Sequence, residues 1–220
     1  MGIKNTELFD LTHTIAADIF EGKEYPWEVL SDISDFIIEL GNKLGDEFEQ
    51  KAQDVWIHKT ANIAPTASIT GPCIIDAGTE VRHCAFIRGS VLVGKNCVVG
   101  NSTELKNVIL FDHVQVPHYN YVGDSILGYY SHMGAGSITS NVKSDKTLVV
   151  VKDNDTLYET GRKKMGTILG DHVEVGCGSV LNPGTIIGSN TNIYPLSSVR
   201  GVVAPGSIYK AQGEVAKKRL

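Results

Sequence analysis

The chain has 220 residues, 42% of them hydrophobic, with 20 Lys+Arg against 25 Asp+Glu and a formal charge of -5. That size suits one principal core with a small appendage, and the acidic balance excludes a global pull towards nucleic acid or anionic membrane, so any anion must be held by a local cluster. No apolar run reaches membrane-spanning length and the polar start MGIKNTELFD is no signal peptide, which points to a cytoplasmic protein with no membrane or nucleic-acid partner.

Residues 1–50 carry no repeat. Within them Val29, Leu30, Ile33, Phe36, Ile37, Leu40 and Leu44 recur at helical spacing after Pro26, a residue suited to the first turn of a helix. The spacing predicts an N-terminal helical segment that packs on the rest of the chain. From residue 51 the period changes. Aliphatic residues recur every six positions as Ile57, Ile63, Ile69, Ile75, Val81, Ile87, Val93, Val99 and Leu105. Four residues after each stands a mostly small one: Ala61, Ala67, Cys73, Thr79, Ala85, Val91, Cys97, Thr103 and Ile109. A helix needs a period of 3.6 and a half-buried strand strict alternation, and six with a small fifth place fits neither. It fits a triangular solenoid in which each hexad forms one short side and three hexads close a coil of eighteen residues.

The register slips by one residue to Leu110, Val116 and Val122, and again to Leu127 and Met133. A second clean run comes at Leu169, Val175, Leu181, Ile187, Ile193 and Val199, so 51–206 predicts about seven coils. Residues 142–167 interrupt them. There TLVVVK and TLYETG flank DND, which reads as an ejected β-hairpin. Residues 207–220, with Lys217, Lys218 and Arg219 near the end, read as a short polar C-terminal helix. The four cysteines lack CxxC or zinc-ligand spacing and are expected to be free thiols, with Cys73 and Cys97 filling small in-phase places.

Counting in eighteens places residues i and i+18 side by side. Arg88 and Lys106 are such a pair, each directly after an inward aliphatic. Two cations on adjacent strands repel unless an anion lies between them, and a phosphate neutralises both; the alternative is an ion pair, with Glu104 the nearest candidate. One coil further on, PHYNYVGD (117–124) brings His118 together with Tyr119, Asn120 and Tyr121. Histidine is the side chain suited to general-base work near neutral pH.

The phrases VGKNCV, VGNSTE and LGDHVEVG resemble the hexapeptide of the left-handed acyltransferase superfamily. Residues 81–141 are similar to the acetyltransferase half of the bifunctional bacterial glucosamine-1-phosphate acetyltransferase and N-acetylglucosamine-1-phosphate uridylyltransferase family. The resemblance implies an all-β, left-handed parallel β-helix. It also implies transfer of an acetyl or similar acyl group from acetyl-CoA to a phosphorylated sugar, and a homotrimer with sites between subunits. By the same resemblance Arg88 and Lys106 bind the sugar phosphate, His118 is the general base, and Tyr121 and Asn141 contact substrate. Gly134, Ala135, Gly136, Cys177 and Leu196 line the coenzyme A groove. His132 stands where the family has a sugar-contacting asparagine, and it faces either the cleft near His118 or the neighbouring coil. Val142 replaces a family tyrosine, the family lysine that comes next has Lys143 and Lys146 as candidates, and the arginine-bearing tail is absent. No glycine-rich nucleotide loop opens the chain, so uridylyl transfer is not expected. Two other readings stand beside this one. One is a sugar-phosphate or nucleotide-sugar binding module without turnover. The other is a zinc enzyme like the γ-class carbonic anhydrases, with His83, His113 and His118 as ligands.

Overall fold

The protein's computed structural model describes residues 2–210 and 215–218. Its body is a left-handed parallel β-helix of triangular section. Strand alternation explains the section: the hexad aliphatics Val81, Ile87, Val93, Val99 and Leu105 turn inward and are at most 1% exposed. The first wall stacks strands beginning at Val55, Cys73, Val91, Val108, Ser125, Thr167, Thr185 and Val202. That makes eight coils among the described residues, against about seven expected. The second wall begins with Asn62, Glu80, Val98, Gln115, His132, Glu174, Asn192 and Ser207. The third begins with Ser68, Phe86, Glu104, Tyr121, Ile138, Val180 and Ser198.

The walls differ on their outer faces. On the second and third the residue before the inward aliphatic is mostly polar, as with Glu80, Gln115 and Glu104. On the first it is Trp56, Ile74, Leu92, Ile109, Ile126, Ile168 and Ile186, all at most 5% exposed. Burying each such side chain contributes about 1.5–3 kcal/mol, so this wall needs a cover. The N-terminal segment supplies it. A 3-10 turn over Pro26–Ser31, with proline at its start, leads into the α-helix Ile33–Gly41. Val29, Leu30, Ile33 and Ile37 are buried, as the helical spacing predicts. Gly41 lies against the Trp56 ring so closely that a side chain there would overlap it. Further back, Asp171 fastens the segment to the solenoid: its carboxylate accepts from the Asp10 N–H at 2.7 Å and the Tyr129 N–H at 2.8 Å.

The slips in the sequence are real changes in coil length. Cys73 pairs with Val91, eighteen residues on, but Val91 pairs with Val108 and Val108 with Ser125, seventeen on. Ile126 then pairs with Ile168, because the intervening segment leaves the coil and returns. Within it Val150–Asp153 and Thr156–Glu159 form an antiparallel hairpin, as expected. Tyr158 of that hairpin packs against Tyr25 and Trp27.

Two expectations need correction. Phe48–Ala52, at the edge of the segment expected to be helical, is a strand antiparallel to Val55–His58. It covers the open edge of the first coil. The C-terminal helix expected over 207–220 is absent from the described residues, and 211–214 and 219–220 lie outside them. Instead Ser207–Tyr209 pairs antiparallel with Val215–Lys217. An open strand edge offers hydrogen-bond partners to a chain segment, whereas an isolated short helix is marginal in water.

Gly100 marks the tightest contact between coils. It sits between Val99 and Asn101, whose partners are Val116 and His118, and a side chain at 100 would overlap the Pro117 carbonyl. Gly100→Ala is therefore expected to destabilise the fold by on the order of 3 kcal/mol. Gly45→Ala, in open space, should stay within about 0.5 kcal/mol of wild type. Thermal unfolding of the two variants checks the contrast.

Candidate active site

The corner after the second wall gathers five of the predicted residues in one line. Gly136 donates its N–H to the His118 carbonyl at 3.0 Å, Gly178 donates to Ala135 at 2.9 Å, and Leu196 donates to Cys177 at 2.9 Å. At roughly 4.8 Å per coil the line from His118 to Leu196 spans about 14 Å. His118 ends the strand Gln115–His118 and is exposed. Its main chain is fixed on both sides: its N–H donates to Asn120 Oδ1 at 3.1 Å, and its carbonyl accepts from Gly136. Asn120 is 2% exposed and donates on to the Gly134 and Ser137 carbonyls. The histidine turn and the GAG turn are thus tied together, while the imidazole projects outward.

The GAG turn offers less than its glycines suggest. The Gly134 and Gly136 N–H groups are engaged by the Val175 and His118 carbonyls. Only the Ala135 N–H has no hydrogen-bond partner among the described residues. Gly134 is required by close approach, since a Cβ there would lie 2.7 Å from the Cys177 nitrogen.

On the third wall Glu104 and Leu105 pair with Phe86 and Ile87, so Arg88 and Lys106 are neighbours as the eighteen-residue count predicts. Arg88 stacks over Phe86 and pairs with Glu104 at 2.6 Å, which relieves part of the repulsion between the two cations. Lys106 makes no ion pair among the described residues. Its partner on the next coil is Gly123, and a Cβ there would lie 2.5 Å from the Tyr121 hydroxyl and 3.0 Å from Asn141 Nδ2. The absent side chain lets Tyr121 and Asn141 meet at 3.2 Å beside Lys106. Burial, together with the charges of Asp124 and Glu104, pushes the Tyr121 phenol up, so it remains an O–H donor at neutral pH.

His132 is not drawn into this group. It pairs with Gln115, three residues before His118 and so roughly 10 Å along the strand, and its Nδ1 lies 2.8 Å from Glu174 on the next coil. Of its two expected orientations, the neighbouring coil holds. The histidines of the zinc reading do not converge within the chain either. His83 contacts Thr66, and His113 stacks on Tyr130 at another corner.

Sequence reasoning missed Asn107, Asp124 and Arg162. Asp124 is 5% exposed and accepts from Asn107 at 2.9 Å and Asn141 at 2.5 Å. Half-buried Arg162 of the inserted segment lies in its field. The spacing of Asn107, Asp124 and Asn141 is seventeen, which would have revealed them. A separate polar cleft of about 620 Å³ lies further along the third wall. Ser140, Asn182 and Arg200 line one side, and Lys143 and Lys152 of the insertion line the other.

The model of the GMPPB C-terminal domain family matches residues 69–191. The chain is 37% identical over 187 residues to the bifunctional protein GlmU of Methanococcus maripaludis (strain C5), covering 77% of this chain and 42% of that protein. It is 31% identical over 175 residues to the bifunctional sugar-1-phosphate nucleotidylyltransferase/acetyltransferase of Sulfurisphaera tokodaii, covering 71% and 43%. The chain thus spans less than half the length of these relatives. Among solved structures, a hexapeptide transferase family protein from Anaplasma phagocytophilum superposes with a TM-score of 0.50 at 16% identity. It covers 76% of this chain and 81% of that one, a likeness of fold.

All four cysteines are free, and they divide by exposure. Burial pushes the Cys73 thiol up to about 12 and Cys97 upward as well, whereas Cys84 and Cys177 are exposed. A thiol reagent at pH 8 should therefore titrate two groups in the native protein and four after unfolding.

Proposed function

This chain belongs to the GMPPB C-terminal domain family and, from its similarity to a sugar-1-phosphate nucleotidylyltransferase/acetyltransferase, we propose that it transfers an acetyl or similar acyl group from acyl-CoA to a phosphorylated sugar. One observation carries the reading: the corner line of His118, the GAG turn, Cys177 and Leu196 borders the third wall, and that same wall carries the cation pair Arg88 and Lys106 at its far end. An extended thioester lying along the corner would bring its carbonyl to His118. An acceptor whose phosphate sits on Arg88 and Lys106 would reach the same point from the wall, with Tyr121 and Asn141 contacting its sugar.

The chemistry needs no covalent enzyme intermediate. The acceptor's amine or hydroxyl attacks the thioester carbonyl carbon, the C–S bond breaks, and coenzyme A leaves as its thiol. His118 takes the proton from the nucleophile. Its fixed main chain holds the ring's origin in place, and the outward imidazole is free to reach the acceptor. The Ala135 N–H is the donor of the GAG turn available to the developing oxyanion or to the coenzyme. Arg88 and Lys106 act by positioning, which turns a bimolecular encounter into a held geometry. To take the phosphate, Arg88 must exchange or share its bond with Glu104. Acetyl-CoA is the co-substrate, and a homotrimer completes the site between subunits.

A second reading rests on His132. It occupies the place of a sugar-contacting asparagine but is held by Glu174, which suits a binding module that keeps the phosphate site and lacks turnover. The same assay separates the two. Purified protein with acetyl-CoA and a panel of sugar phosphates, glucosamine 1-phosphate among them, should release coenzyme A thiol. His118→Ala should lower kcat by at least about 100-fold and change the acceptor KM less than threefold. Lys106→Ala should instead raise the acceptor KM by about tenfold or more. Full turnover in the His118→Ala variant would contradict the assigned base, and an absence of thiol release across the whole sugar-phosphate panel would favour the module.

A further inference from the structure

The corner between the third and first walls carries Asn107, Asp124 and Asn141 in three successive coils. The backbone of Asn107 and Asp124 is left-handed, with φ of +53° and +49°, a conformation that asparagine and aspartate tolerate better than most residues. Turn geometry therefore accounts for the residue types. It does not account for the bonds they make.

Asn107 Nδ2 donates to the Leu30 carbonyl at 3.0 Å and to Asp124 Oδ1 at 2.9 Å. Asn141 Nδ2 donates to Asp124 Oδ2 at 2.5 Å and to the Tyr121 hydroxyl oxygen at 3.2 Å. Each amide has two N–H groups, and here all four are engaged. A carboxylate only accepts; here each of its oxygens meets an amide donor, and half-buried Arg162 lies in its field. The Asn141 amide is consequently fixed in one sense: nitrogen towards Asp124, Oδ1 away from it. Among the described residues Oδ1 has no partner. Tyr121 is fixed in turn, because its oxygen accepts from Asn141 and its own O–H must point elsewhere. Gly123 keeps this pair together, and Gly123 is the neighbour of Lys106.

We infer that Asp124 is a positioning residue that sets the hydrogen-bonding polarity of the acceptor site, making Asn141 present an acceptor and Tyr121 a donor beside the cation pair. The assignment of that strip to the acceptor rests on the proposed function, whereas the polarity does not. The ligand that fits carries an N–H or O–H donor opposite Asn141, an acceptor oxygen opposite Tyr121, and an anionic group on Arg88 and Lys106. An amino or hydroxyl sugar phosphate has all three.

Asp124→Asn tests this without changing side-chain size. Asn107 is pinned by the Leu30 carbonyl, so the new amide must turn its oxygen to Asn107 and its nitrogen to Asn141. Asn141 then inverts and shows its NH2 to the site. In transverse-relaxation-optimised NMR of the ¹⁵N-labelled protein, the Asn141 side-chain pair is identified by its loss in Asn141→Asp. Both of its protons should exchange slowly in the wild type and at least about tenfold faster in Asp124→Asn. Tyr121→Phe guards against a variant that fails to fold, since it removes one acceptor only. One of the two protons should then accelerate and the other stay protected. Unchanged exchange in either folded variant overturns the inference. Calorimetry with glucosamine 1-phosphate as probe should show about tenfold weaker binding to Asp124→Asn, with coenzyme A binding within twofold of wild type. If the amide inverts but the probe binds neither protein, the acceptor assignment fails and the positioning role stands.

Discussion

Strand alternation on a three-sided coil constrains everything else in this molecule. Each hexad commits one residue to the narrow core and its neighbour to an outer face. On the first wall both residues are apolar, from Trp56 to Ile186, so that wall must be covered on both sides. The helix Ile33–Gly41 and the turns before it cover it. The second and third walls, mostly polar outside, are left open, and the candidate chemistry lies on them and at the corner between them. Covering the first wall also brings the Leu30 carbonyl to Asn107, which links the cover to the corner ladder that orients Asn141.

Coil length then sets the addresses. In eighteen-residue coils Arg88 and Lys106 become neighbours; in seventeen-residue coils His118 comes beside Asn101, and Asn107, Asp124 and Asn141 align. Close stacking of these coils requires absent side chains at a few places. Gly100 meets Pro117, Gly134 meets Cys177, and Gly123 makes room for the Tyr121–Asn141 contact. The glycines act here by close approach of neighbouring strands.

Much of this was legible in the residues. Period six and the small fifth place predict the solenoid, Pro26 and the 3.6 spacing predict the helical cover, and TLVVVK/TLYETG predict the hairpin. What was not legible depends on pairings between distant coils. His132 meets Glu174 across the whole inserted segment, a separation of forty-two residues that no repeat count supplies. Arg88 meets Glu104 because both lie on one wall, a competition between ion pair and anion that spacing alone leaves open. The corner ladder was hidden by counting in eighteens where the coils have seventeen. The strand at Val215–Lys217 replaces a helix because the last coil leaves an unpaired edge, a demand of the assembled sheet rather than of the local sequence.

In the proposed reaction acyl donor and acceptor meet at His118, one arriving along the corner and the other along the third wall. A crystal structure of the protein with coenzyme A and glucosamine 1-phosphate would decide whether they do. The phosphate is expected on Arg88 and Lys106, and the pantetheine along Gly134–Gly136, Cys177 and Leu196. The sugar amine should lie within about 3.5 Å of both the His118 ring and the thiol end. A phosphate lodged instead in the cleft of Lys152 and Arg200, with His118 touching neither ligand, would rule out that meeting point.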